Sequence, residues 1–540
     1  MKTSTKKLLK WTAIVFAFLL LVVIGFGIYL YSILPSTIGR PIVLQKELFA
    51  KPEKPFPMEG KFIYKSATEL AEMIKNKKAT SVEIVTEFIN HIKNNNYKYN
   101  SLIYLREQEA LAEAKQADDL VAKGDTAKPL LGVPITIKEM FWVKGSPSTM
   151  NAKMFGVTAT SDAPIVTQLK NAGGIVLGTT NVPFMLADYQ TYGEVYPTAN
   201  NPYDVSRTPG GSTGGGASAL AAGFTSIELG SDMGGSIRVP AVFCGLWSLK
   251  SSFGTVNITE GTSPDPSIKF TRFAMASPGP LARTPEDLEL TWNIIRETKI
   301  DERFQKPIQW NLPSDKKLKD YKFAWMDEWK TEVGNVKIGE DSKEKLKNLV
   351  DSLNQQGAVT DKNAPDTYIP MTRLFLSSFI SMMSQGQPWL IQKFIERDMK
   401  NMGNNSKVFE SFRDTAMDGS DQSWEKVEAE RKELIAKWED FFKQYDFFVC
   451  PLSYSGAFHH SERGNPIIAD DGTTVAYVDY VPYAYIFNAT GHPAITVPMG
   501  LNKQGLPIGI QIVGKLNSEP ELLHLAKLLK PITPGFVKPQ

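Results

Sequence analysis

Apolar positions change their spacing several times along the chain, and each change predicts a different element. Residues 11–34 carry no charge, about 36 Å as a helix at roughly 1.5 Å per residue, enough to span a bilayer. The pattern predicts an uncleaved transmembrane helix at 11–34, after a basic tail at 1–10 that carries Lys2, Lys6, Lys7 and Lys10. A cleaved signal peptide is the alternative, with an unusually long apolar region and no small-x-small site before Pro35. Lysines ahead of the helix predict a cytoplasmic N-terminus, and so a single-pass cell-membrane protein with the domain that follows on the extracytoplasmic side. Arg40, Lys46, Lys51 and Lys54 on the far side reduce that bias. Residues 35–60, rich in proline and polar groups, read as a linker.

From Ser66 the spacing becomes helical, with Ser66 or Thr68 as cap and Leu70, Met73 and Ile74 on one face. A second helix is expected from Thr80 to about Lys93 and a third from Glu107 to Lys123. The stretch 132–139 (GVPITIKE) then alternates apolar and polar positions, which predicts a strand ending on Lys138. Residues 165–177 read as a helix and a buried strand joined at Gly173 and Gly174. Short helices alternating with apolar strands argue an α/β fold.

Residues 300–445 are mostly charged helical stretches, except that 371–391 is apolar and contains Phe375, Phe379, Met382, Met383 and Trp389. Its composition reads as a core helix; a wall of an acyl-binding channel is the second open reading, implied only by the family resemblance described below. Composition changes little. The 540 residues are 42% hydrophobic with a net charge of +2, enough for a large core and no argument for a nucleic-acid partner. Cys244 and Cys450 lack metal or CxxC spacing and read as buried free thiols, a disulfide being left open.

Chemistry concentrates in two glycine-dense turns, 210–216 (GGSTGGG) and 230–240 (GSDMGGSIRVP). Such clusters let backbone N–H groups converge on one point, to cradle a phosphate or a developing oxyanion. No Gly-Lys-Ser/Thr follows and the glycines do not fall into G-x-G-x-x-G, so phosphate is the weaker reading. A serine nucleophile needs a base, and Lys138 in an apolar strand end is a candidate for burial, which would lower its pKa towards neutrality. Ser212 within GGSTG also satisfies the G-x-S-x-G elbow of α/β-hydrolases, with His459, His460 or His492 as base. The elbow requires a buried strand before the serine, and 200–209 is polar and broken by proline. No third ligand is suitably spaced to make His459 and His460 a metal site, and His492 reads as structural.

Together, the stretches 132–139, 209–216 and 234–240 resemble the amidase signature family, which includes fatty acid amide hydrolase, malonamidase, peptide amidases and the A subunit of the tRNA-dependent amidotransferase. The resemblance runs over about 62–295, with 278–287 matching again, and returns at 446–530 through 487–498 (FNATGHPAITVP) and 505–514 (GLPIGIQIVG). It implies a fold with a central mixed sheet covered by helices over 61–535, the variable stretch at about 300–445 being an insertion that shapes the substrate pocket. It also implies Ser236 as nucleophile, Ser212 as bridging serine, Lys138 as base and a cis peptide bond before Ser212. Backbone N–H groups of Met233, Gly234, Gly235 and Ser236 are the expected oxyanion hole, with Gly211 and Thr213 as substrate contacts. Thr213 stands where serine is common, and Met233 where a small polar or branched residue is frequent. Arg283 and Asp287 read as a structural ion pair at helical spacing.

The expectation is therefore a serine amidohydrolase that needs no metal or organic cofactor. It would act on a small-molecule amide, apolar or acylated, as a partner of the membrane rather than of nucleic acid; oligomerisation is left open. A membrane-tethered binding protein on a non-catalytic amidase scaffold and an esterase using Ser212 are the alternatives. A role as the amidotransferase component is disfavoured by the apolar amino-terminal segment and the absence of a basic excess.

Overall fold

The two amino-terminal helices begin where the sequence supplies a capping box. Ser66 and Glu69 open α1 (Ala67–Lys75), and Thr80 and Glu83 open α2 (Ser81–Tyr99), each pair exchanging side-chain and backbone hydrogen bonds. Helix α2 continues past the predicted end at Lys93 to Tyr99, through three consecutive asparagines of low helix propensity. Tertiary contacts override that propensity. Asn94 pairs with the backbone of Phe56, and buried Asn96 bonds the carbonyls of Leu48 and Leu102 and the Leu102 N–H. Asn100, at φ 49°, ends the helix in the left-handed conformation.

These elements come from a computed structural model that describes residues 42–258, 261–262, 275–296, 310, 315–384, 393, 396–397, 400–401, 403–417 and 424–540. The span expected at 11–34 lies outside the described residues. Among the described residues no helix is long and apolar enough to cross a membrane.

The chain continues as β1 (Leu102–Leu105), α3 (Glu107–Ala122), β2 (Pro134–Lys138), α4 (Pro164–Asn171), β3 (Ile175–Thr180), α5 (Gly214–Ala221), β4 (Ile227–Asp232), α6 (Arg238–Phe243), β5 (Trp247–Lys250), β6 (Ser277–Ala282) and α7 (Pro285–Ile295). Then follow β7 (Lys322–Trp325), α8 (Glu340–Gln355), β8 (Val359–Lys362), α9 (Tyr368–Ser384), α10 (Trp424–Phe441), β9 (Phe447–Pro451), α11 (Ile486–Thr490), β10 (Ala494–Leu501), β11 (Pro507–Gly514) and α12 (Glu519–Leu529). The strands form one 11-stranded sheet in the order β1-β3-β2-β4-β6-β5-β10-β11-β9-β7-β8. Strand β2 runs parallel to β3 and β4, whereas β4 to β9 pair antiparallel across the middle, so the sheet is mixed as expected. All five residues of β2 are buried, because helices cover both faces of the sheet.

Arg283 and Asp287 do not pair with each other as the spacing suggested. The Arg283 guanidinium donates to the carbonyls of Leu220, Thr225 and Lys65, while the Asp287 carboxylate accepts from the N–H groups of Ala67 and Thr68 and from Thr68 Oγ1. The buried backbone ends nearby carry more unsatisfied donors and acceptors than one ion pair would answer.

Helix α9 covers the first part of the apolar stretch 371–391. Met371, Leu374, Leu376 and Ile380 are buried in a cluster with Trp438 and Phe448, and Phe375 and Phe379 are partly buried against it. Residues 385–391 lie outside the described residues.

Asp287→Ala is expected to destabilise the fold by about 2–3 kcal/mol, since it strands two N–H groups at the start of α1. A urea unfolding midpoint unchanged from wild type would contradict this.

Candidate active site

Strand β2 ends on Lys138, which is fully buried. Its Nζ donates to Ser212 Oγ at 2.7 Å, to Ser231 Oγ at 3.0 Å and to Ser231 O at 3.3 Å. Burial lowers the Lys138 pKa from 10.5 to about 7, against the opposing pull of Asp232, Glu228 and Glu139. Burial likewise raises Glu228 and Glu139 to about 7. Glu228 accepts from Thr136 and Thr180 at 2.6 Å each, and Glu139 takes the N–H groups of Thr149 and Met150. An amine so placed is close to neutral at physiological pH and faces a hydroxyl, the situation in which lysine acts as a base.

Ser212 lies in the turn ahead of α5 and is 2% exposed. The turn is over-determined. Thr191 Oγ1 donates to Gly210 O at 2.7 Å, Gly210 N donates to Thr208 Oγ1 at 3.0 Å, and the Gly211–Ser212 peptide bond is cis. A Cβ on Gly211 would meet the carbonyl oxygens of Asp188 and Gln190, so that glycine permits close backbone approach. Thr213 is fully buried. Its N–H donates to Ser236 O at 3.0 Å, tying the two turns together, and its hydroxyl to Ser231 O at 3.4 Å. Ser236, by contrast, is partly exposed.

The second turn is organised by Asp232, a residue the sequence pattern did not single out. Its carboxylate accepts from the N–H groups of Gly235 at 2.8 Å and Ile237 at 3.2 Å, and from Arg238 Nε at 2.9 Å and Asn488 Nδ2 at 2.9 Å. Burial works to raise its pKa, but the Arg238 charge and these bonds outweigh it and hold the carboxyl well below the usual carboxylate range. Arg238 also reaches Gln511, Ala484 O and Asn488 Oδ1. The available signal was an aspartate at a strand end, one residue removed from paired glycines, with an arginine six positions after it. The Gly235 N–H expected in the oxyanion hole donates to Asp232 in this structure.

One aromatic wall borders this turn. A Cβ on Gly234 would come within 3.0 Å of Phe375 Cζ, and the Phe375 ring stacks on Phe379 and Tyr485 with centroids 6.1 and 5.2 Å apart. The histidines are engaged elsewhere. His459 pairs with Ser206, His460 with Asn200, and His492 with Thr490 and Glu439. Among the described residues no cluster of three or more His, Cys, Asp or Glu side chains is arranged to hold a metal ion. Cys244 and Cys450 are both free and buried.

A family model described as Amidase matches residues 83–523. Among curated relatives, the glutamyl-tRNA(Gln) amidotransferase A subunit of Alkaliphilus metalliredigens is 29% identical over 488 residues, 83% of this chain and 92% of the relative. The same subunit of Picosynechococcus is 28% identical over 86% of this chain and 97% of the relative. Similar folds are found in fatty acid amide hydrolase (TM-score 0.70, 20% identity, 89% of this chain and 87% of that one). A bacterial aryl acylamidase of the amidase signature enzymes also matches (TM-score 0.69, 20% identity, 87% and 96%). These findings correct the expected cell-membrane location with an extracytoplasmic catalytic domain. The relatives aligned over most of the chain are named as amidotransferase subunits.

Lys138 and Lys250 both have folded pKa values lowered from 10.5 to about 7, each chiefly by burial. Between these values the unfolded chain holds protons that the folded chain has released, so stability contributed by the two groups rises as pH increases through that window. Lys138→Met is expected to flatten part of this rise and to raise stability at pH 7, read from unfolding midpoints between pH 7 and 10. An undiminished slope would show that Lys138 is charged in the fold.

Proposed function

This chain belongs to the amidase family and is an amide-hydrolysing enzyme, and from that premise we propose that it works through an acyl-enzyme on Ser236. Neutral Lys138 takes the proton of Ser212, and Ser212 takes that of Ser236 as Ser236 Oγ attacks the amide carbonyl carbon. The oxyanion that forms is met by backbone N–H groups of Met233, Gly234 and Ser236. As the intermediate collapses, the C–N bond breaks, the leaving nitrogen takes a proton from Ser212, and Ser212 is reprotonated by Lys138. Water then attacks the acyl-enzyme through the same relay, releasing the acid and restoring Ser236.

The single observation that carries this reading is the 2.7 Å hydrogen bond from Lys138 Nζ to Ser212 Oγ, made where burial lowers the lysine to about 7. Its consequence is a pH profile of definite sign. A base must be unprotonated, so kcat/KM is expected to rise with pH and reach half its maximum near pH 7. Lys138→Ala should lose activity by about 100-fold or more while remaining folded. Wild-type rates in that variant would remove Lys138 from the mechanism.

Ser236 is tested by covalent labelling with a fluorophosphonate followed by peptide mapping. Label on Ser236, absent in Ser236→Ala, is expected. Label on Ser212 instead would support the esterase alternative, and no label on folded protein the non-catalytic scaffold.

For substrate, the Phe375, Phe379 and Tyr485 wall beside Gly234 favours an amide with an apolar acyl group. Hydrolysis of long-chain acyl amides should exceed that of acetamide, and a short-chain preference would overturn this. A second reading has its own support in the 29% identity to a glutamyl-tRNA(Gln) amidotransferase component, which extends over 92% of that relative's length. On that reading glutamine is the amide cleaved, and the released ammonia serves a partner protein that acts on charged tRNA. Ammonia release from glutamine in preference to acyl amides would favour it.

A further inference from the structure

Two consecutive glycines, Gly234 and Gly235, precede Ser236. Gly235 has φ +106°, and a Cβ there would collide with Ala484. Glycines give the turn its shape and also leave it free to swing, because no side chain restrains either residue. Donors that stabilise an oxyanion act only if they are aimed before charge develops. Hydrogen bonds must therefore fix it; the Gly235 carbonyl is held locally by the Val239 N–H at 2.7 Å, and the peptide before it needs its own partners.

The peptide between Gly234 and Gly235 is held at both ends. Its N–H donates to Asp232 Oδ1 at 2.8 Å, at the end of β4. Its carbonyl accepts from Tyr189 Oη at 3.1 Å, across a separation of 45 residues. In a trans peptide these two groups point in opposite directions, so holding both permits one orientation of the plane. The two flanking peptides, which carry the N–H groups of Gly234 and Ser236, hinge on the Cα atoms that this plane fixes. Tyr189 packs against the apolar cluster that includes Tyr485, and burial raises its pKa, so its hydroxyl remains a donor throughout the neutral range. The residues on either side of it serve the other serine: the carbonyl oxygens of Asp188 and Gln190 lie against Gly211. Residues 188–190 thus form a strut touching both turns.

We propose that Tyr189 is a positioning residue whose hydrogen bond to the Gly234 carbonyl, opposed by Asp232, aims the oxyanion-binding N–H groups beside Ser236. This rests on the reading of Ser236 as nucleophile. The Tyr189 hydroxyl contacts neither the Ser236 hydroxyl nor the reacting carbonyl in this scheme. Its removal should slow bond formation and leave ground-state binding nearly as it was.

The test is the kinetics of fluorophosphonate labelling in excess probe for wild type and Tyr189→Phe. The amplitude reports how much protein is folded and competent, the saturating rate reports bond formation, and the half-saturating concentration reports binding. The expected result is a saturating rate about tenfold lower, a half-saturating concentration within about twofold, and label still on Ser236. An unchanged saturating rate in the labelled fraction would overturn the proposal, as would a change confined to the half-saturating concentration. Because the rate is read only from protein that reacts, partial misfolding of the variant does not obscure the answer. Failure of wild type to label at Ser236 would overturn the nucleophile assignment and this proposal with it, whereas a labelled wild type with an unaffected variant would sink this proposal alone.

Discussion

The buried amine of Lys138 is the constraint on which the rest of the site depends. Removing an ammonium group from water is costly, and a protein avoids most of that cost by letting the group shed its proton. Here the lysine sits at the end of a strand in the interior of the sheet, and its Nζ meets two serine hydroxyls and a carbonyl rather than a carboxylate. Glu228, Glu139 and Asp232 are near enough to oppose the shift, but each carboxylate is engaged by other donors. Burial therefore wins, and the amine comes within reach of neutrality where the proposed relay needs it.

A second buried charge does the opposite work. Asp232 is held ionised by Arg238, and its oxygens are taken up by the backbone of the turn that follows it. Isolated, either member of such a pair would be destabilising. Together with Asn488 they fasten β4 and the start of α6 to the carboxy-terminal part of the chain, since Arg238 also bonds Gln511 and the Ala484 carbonyl. The turn that carries Ser236 is consequently braced by residues far away in sequence. That long-range bracing lets a glycine-rich segment, intrinsically mobile, present fixed donors.

The apolar helix α9 links this machinery to the substrate question. Most of its apolar face is core, packed with Trp438 and Phe448, which is the bland reading of its composition. Phe375 is different: packed against that cluster and stacked on Tyr485, it also lies beside Gly234, where a Cβ would come within 3.0 Å of its ring. One helix thus serves as core and as wall.

Much of this was legible in the sequence. A capping residue marked the start of α1, helical spacing marked α2 from Thr80, alternation marked β2 with Lys138 at its end, and two glycine-serine clusters with a lysine upstream pointed to the family and its α/β fold. These are local signals, written in periodicity and in residues with unusual backbone freedom. The end of α2, the partners of Arg283 and Asp287, the engagement of the Gly235 N–H by Asp232 and the reach of Tyr189 were not legible. Each depends on which groups meet across the fold, and on a competition for hydrogen bonds that no window of sequence contains. Sequence determined which residue types were available to the site; only the tertiary structure decided which donor each acceptor received, because buried polar groups must be satisfied by whatever the fold brings within reach.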